Sequence, residues 1–102
     1  MIHVLATIEL ASGRRSEFLK EFHAIMPSVK AETGCMEYGP AVDTPTQIPV
    51  QGEARPDVVV VIEKWASLAA LEKHLAAAHM LKYREKVKHL VQSVQLQVLE
   101  PA

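Results

Sequence analysis

Two histidines, His74 and His79, are the side chains here best suited to moving protons near neutral pH, since an imidazole is half-charged close to pH ~6.5. His74 falls on the flank of a helical stripe made by Leu68, Leu71 and Leu75, about a quarter turn from its centre. There it serves either as a boundary histidine bonded to backbone or as a general base in a dry cavity. His79 sits at a helix start, where the positive end of the dipole favours a neutral ring, or where it simply caps a break. Five residues apart, the two do not share one helix face. No Asp or Glu completes a ligand cluster in the sequence, which argues against zinc. Trp65 ends an apolar strand and carries an indole N–H that can reach a ligand. Tyr38 and Tyr83 are packing residues unless they line a pocket, and Met36 and Met80 would give such a pocket adaptable walls. His3, His23 and His89 read as solvated. The acidic residues look scattered, with no carboxylate pair. Phosphate loops, paired cysteines and a nucleophile elbow are missing from the pattern.

These candidates hang on residues 57–83, DVVVVIEKWASLAALEKHLAAAHMLKY. Val58, Val60 and Ile62 point one way, while Val59, Val61 and Trp65 point the other with Glu63 among them, so both faces of this strand avoid water. Ser67 is an N-cap for the helix that follows. One straight helix over 68–90 would bring Lys82 and Lys86 into the leucine stripe. A break near Ala77–His79 instead gives Met80, Tyr83, Val87 and Leu90 a stripe of their own.

Earlier in the chain, residues 2–10 alternate as a strand. Ser12 can cap a helix whose stripe is Phe18, Phe22, Ile25, Met26 and Val29. Pro27 predicts a kink near residue 26, and Gly34 fits the left-handed C′ position. Residues 35–43 form a second strand that Gly39-Pro40 pushes to an edge or a bulge. The Pro- and Gly-bearing stretch 44–56 is a long hairpin loop, a length that usually has a function or a partner. Residues 91–100 close the chain as a strand with Val94, Leu96 and Val98 inward.

The order β-α-β-β-α-β is a ferredoxin-like split βαβ plan, an α+β fold with a four-stranded antiparallel sheet and both helices on one face. It makes residues 1–102 one domain. Covering the other sheet face, apolar at 58–62, calls for a homodimer packed sheet to sheet, an α+β barrel. Eleven basic against twelve acidic residues, with no basic stripe, give little support to a nucleic-acid partner. A single cysteine, no long apolar run and no signal-peptide pattern fit a soluble cytoplasmic protein that does not insert in membranes.

The segments MPSVKAETGCMEYGPAVD (26–43), VVVIEKWASLAALEKHLAAAHMLKY (59–83) and LQVLEP (96–101) resemble the antibiotic biosynthesis monooxygenase family, and within it the small bacterial quinol monooxygenases. The most specific parts are Gly34-Cys35 with Tyr38, Glu63–Trp65, and His74 followed by His79-Met80. The resemblance implies a dimeric ferredoxin-like enzyme that oxidises quinols with O₂ and no metal, flavin or haem. It is similar to the haem-degrading branch at Trp65 and His74, but that branch needs an Asn on the first strand, where Thr7 stands. On this reading His74 is the base, and His79, Trp65, Tyr38, Tyr83, Met36 and Met80 surround a small aromatic substrate. Two alternatives stay open. One is an isomerase of a small phosphorylated carbonyl compound, needing Lys30 or Arg84 turned into the cavity; the other is a non-catalytic ligand-binding dimer.

Overall fold

A computed structural model describes residues 1–102. The elements run β1 (Ile2–Leu10), α1 (Arg15–Lys30), β2 (Cys35–Ala41), β3 (Val58–Trp65), α2 (Leu68–Ala76), α3 (Ala78–Val87) and β4 (Val91–Leu99). The sheet order is β2-β3-β1-β4 with every neighbouring pair antiparallel. This is the ferredoxin-like plan that the element order predicts, with the second helix divided in two. No helix is long and apolar enough to cross a membrane.

Alternation decides what each strand gives to the core. Val4, Ala6 and Ile8 of β1 and Val59, Val61, Glu63 and Trp65 of β3 are buried on the helix side, under Phe18, Phe22 and Val29 of α1 and Leu71 of α2. β2 is indeed an edge strand, but its irregularity lies between Cys35 and Glu37 rather than at Gly39-Pro40. Met36 is thereby turned outward and stays 58 % exposed. β4 departs from expectation. Val94, Leu96 and Val98 stand opposite Ile8, Ala6 and Val4 and so share the helix side, yet they remain 41–53 % exposed. The helices pack over β2 and β3 and leave β4 open. The 16 residues of the β2–β3 connection, 42–57, are tied at the base by Asp43, whose carboxylate meets Arg55 Nε at 2.8 Å.

The helix ends carry both agreements and corrections. Ser67 caps α2 as its hydroxyl predicts, its Oγ accepting the Ala70 N–H at 3.1 Å. Ser12 does not cap α1. The N-cap is Arg14, two residues later, with no side-chain cap; its guanidinium holds Glu17 in the first turn at 2.8 Å. The α2–α3 break sits at Ala77, whose extended backbone (φ −63°, ψ 142°) stops one helix, and α3 opens at Ala78 rather than His79. Of the stripe in α2 only Leu71 is fully in the core. Leu68 and Leu75 are partly exposed, and His74 takes the buried position instead.

Gly34 is not the C′ residue of α1, whose C-cap is Ala31. It lies three residues further on at φ +85°, and its carbonyl accepts the Ala66 N–H at 2.8 Å. A Cβ there would come within 2.7 Å of Ala70 Cβ on α2. Backbone conformation and close approach both demand glycine. Gly34→Ala should cost about 2–4 kcal/mol, the sum of left-handed strain and overpacking, visible as a lower urea midpoint. A midpoint equal to wild type would show that α2 moves aside freely.

Candidate active site

Between α1, α3 and the sheet, beside the uncovered β4, a cavity of about 410 Å³ opens, within the ~300–1,000 Å³ typical of small-molecule sites. Its walls are mostly apolar: Phe18 and Phe22 from α1, Met80 and Val87 from α3, and Val94 and Leu96 of the uncovered β4 at its lip. Tyr38 and Tyr83 line it too. Phe22 stacks on Tyr38 with ring centroids 5.2 Å apart. Burial raises the pKa of both phenols well above the usual tyrosine value, which keeps them neutral and able to donate a hydrogen bond.

The buried end of this cavity is polar. His74 is only 1 % exposed, although the helical stripe puts it on a flank. The turn between α1 and β2 brings Glu32 to it, and Nδ1 lies 2.9 Å from Glu32 Oε2. On the other side of the ring, Nε2 lies 4.0 Å from Glu63 Oε1. A carboxylate oxygen accepts, so Nδ1–H donates to Glu32 and the Nε2 lone pair is left for the cavity. The indole N–H of Trp65 donates to Glu63 Oε1 at 2.9 Å. Desolvation moves the two groups in opposite directions. It pushes the Glu63 carboxyl up to about 7, against the Trp65 hydrogen bond, and it pushes His74 below 6.5, against the favourable contact with Glu32.

The sequence candidates divide. His74, Tyr38, Tyr83 and Met80 meet at the cavity wall. Trp65 does not line it; fully buried, it sits behind His74 with ring centroids 4.6 Å apart and holds Glu63. His79 is also outside. The turn at Ala77 sends it to a surface cleft with Lys82 and Lys86, where its Nε2 donates to Glu32 Oε2 at 2.8 Å. A carboxylate, and not merely a helix end, is therefore its partner. Met36 faces a separate shallow pocket beside Lys30 and Cys35. Arg84 reaches the cavity and Lys30 does not. Thr7 points away from the cavity, towards which β1 turns Ala6 and Ile8. The carboxylates are the feature that sequence reasoning missed. Far from scattered, Glu32 and Glu63 bracket His74. Glu63 had a signal, a lone acid on the inward side of an apolar strand. Glu32 had none, because the α1–β2 turn alone delivers it.

A model of the antibiotic biosynthesis monooxygenase family matches residues 1–86. The chain belongs to the antibiotic biosynthesis monooxygenase family. It is 40 % identical over 103 residues to the "Probable quinol monooxygenase YgiN" of Escherichia coli (strain K12), covering 99 % of this chain and 98 % of that protein. Among solved structures of similar fold, PA3566 from Pseudomonas aeruginosa has 27 % identity and a TM-score of 0.79 over 99 % of this chain and 93 % of its own. Rv0793 from Mycobacterium tuberculosis has 26 % identity and a TM-score of 0.80 over 99 % and 94 %. The family's fold is thus the one that builds this cavity.

Glu63 makes a stability prediction. Its folded pKa near 7 lies above the ordinary 4.5, so between those values the folded chain keeps a proton that the unfolded chain has lost. Its contribution is most favourable below pH 4.5 and declines as pH rises through about 7. Glu63→Gln stays neutral and still accepts the Trp65 N–H. In urea unfolding it should match wild type near pH ~4.5 and exceed it by up to about 3 kcal/mol near pH ~8. A difference independent of pH would mean that Glu63 does not titrate in this range.

Proposed function

We propose that this protein is a cofactor-independent monooxygenase of quinols and related electron-rich polycyclic phenols. The observation that carries the reading is an apolar cavity with an oriented, neutral imidazole and a high-pKa carboxyl at its buried end. Membership of the family supports oxygenase chemistry, and the name of the Escherichia coli relative supports a quinol.

A phenol near pKa ~10 is hardly ionised at pH 7, and the phenolate gives up electrons to O₂ far more readily. His74 Nε2 takes the hydroxyl proton, and the phenol groups of Tyr38 and Tyr83 donate to the developing oxyanion. The ring carbon beside the oxyanion passes two electrons to O₂ as a C–O bond forms. The distal peroxide oxygen takes the proton back from His74, giving a ring hydroperoxide. The O–O bond then breaks as the hydrogen on that carbon leaves with hydroxide as water, and the new ketone enolises. In sum, quinol and O₂ become hydroxyquinone and water.

His74 is too deeply placed for alanine to be a clean probe, since truncation opens a hole and strands Glu32. His74→Gln keeps a donor for Glu32. It should lower blank-corrected, quinol-dependent oxygen uptake by about 10²–10⁴-fold, the usual worth of a positioned base. The wild-type rate should rise with pH through a group below the ordinary histidine value of 6.5, because the base works when neutral and burial favours that form. Uptake within a few-fold of wild type would take His74 out of the chemistry. Arg84 at the cavity also supplies the cation that a phosphorylated-carbonyl isomerase needs. Robust oxygen uptake with quinol, and none attributable to bound metal or flavin, separates the two.

The same reading makes the chain a homodimer. Leu5 and Ile62, neighbours across β1 and β3, and Leu99 on β4 leave an apolar patch on the helix-free sheet face, each about 40 % exposed. A second copy of the same face would cover it. Light scattering should give twice the 11.3 kDa chain mass, or a multiple of that. A stable 11.3 kDa species at micromolar concentration would rule this out.

A further inference from the structure

Glu32 touches neither the cavity nor any cation of Lys or Arg; its single Oε2 is shared by two imidazoles, His74 Nδ1 at 2.9 Å and His79 Nε2 at 2.8 Å. Its side chain is 14 % exposed, between a His74 side chain at 2 % and a His79 side chain at 32 %. A flexible turn carboxylate held by two ring N–H donors is fixed in place without filling any core. Three elements converge on it: the α1–β2 turn, α2 and α3.

The proposed oxygenation is proton-neutral. The proton removed from the phenol returns to the peroxide, so the base must hold it in a nearly dry site between the two events. An imidazolium there needs a counter-charge on the nitrogen that faces away from substrate. Glu63 cannot serve, as it faces Nε2, the side where the proton arrives. The other groups around the ring are the Tyr38 phenol, with ring centroids 5.3 Å away, and Arg84 and His79 of α3, both of which oppose a positive charge on His74.

Resting on the monooxygenase reading, we infer that Glu32 is the positioning carboxylate of the reaction. It fixes His74 in the Nδ1–H tautomer and balances the imidazolium while the proton is stored, and His79 serves to hold Glu32 at that distance. His79 is thus a support residue on the outer side of the carboxylate and not part of the substrate wall.

The test is Glu32→Gln, read by oxygen uptake with a quinol and by ¹⁵N NMR of the imidazole rings. The amide keeps the size and an accepting oxygen but removes the charge. kcat should fall about 10- to 100-fold, the gap expected between a charge-assisted and a neutral hydrogen bond, with KM unchanged within about twofold. The acidic limb of the pH–rate profile should move to lower pH, because the Glu32 contact is what raises the His74 pKa against burial. Wild-type spectra should show neutral His74 protonated at Nδ1, and the variant should titrate lower. An unchanged kcat and pH profile in an active, folded variant would overturn the inference and leave the monooxygenase reading standing. If wild type shows no quinol-dependent uptake, that reading fails, and Glu32 loses the reaction it was assigned to position. Should Glu32→Gln not fold, wild-type NMR decides: an Nε2-protonated neutral His74 overturns the inference, and an Nδ1-protonated one upholds it.

Discussion

The polar end of the cavity is built on one buried ring, His74, held between carboxylates from two distant parts of the chain. Nδ1 lies 2.9 Å from Glu32 and Nε2 lies 4.0 Å from Glu63, so the ring has a carboxylate on each side. Removing water from three ionisable groups is unfavourable unless each is paired or neutral. The structure meets that condition by shifting Glu63 and His74 each toward its neutral form and tying Glu32 to two imidazoles. The break at Ala77 belongs to the same arrangement. It lets α2 bury His74 while α3 turns Met80 and Tyr83 to the cavity and His79 to the back of Glu32.

Around this ring the scaffold supplies dryness. Trp65 and the Phe18, Phe22 and Tyr38 rings exclude solvent, so donors and acceptors act at a low effective dielectric. The open β4 strand adds Val94 and Leu96 to the apolar lining of the cavity. The helix-free face of the sheet stands apart from this site, so covering it with a second copy leaves the polar end unchanged.

The fold was largely legible because alternation and helical spacing are local signals. The two-sided apolar run at 58–62, the cap at Ser67 and the rotated stripe after Ala77 each followed from a few neighbouring residues. The site was legible only in part. His74 and Tyr38 were visible as types, but helical phase alone put His74 on a flank, since it cannot show that a turn 42 residues earlier folds onto the ring. Glu32 was therefore unreadable, and Glu63 was read as a lone acid and not as a partner. Met36 was misplaced by a bulge, Trp65 by depth and His79 by the direction in which the broken helix restarts. The open face of β4 is likewise a property of where the helices lean, which strand periodicity does not encode.

If the cavity ionises a phenol at neutral pH before oxygen is involved, the phenolate is visible with O₂ absent. Anaerobic absorption titration of the wild-type protein with a redox-stable naphthol measures that directly, since naphthol and naphtholate absorb at different wavelengths. The ligand should bind with a substantial naphtholate band at pH ~7, far below its solution pKa, and the band should weaken as pH falls through the titration of His74. A tightly bound ligand showing only the neutral naphthol spectrum at that pH would contradict it.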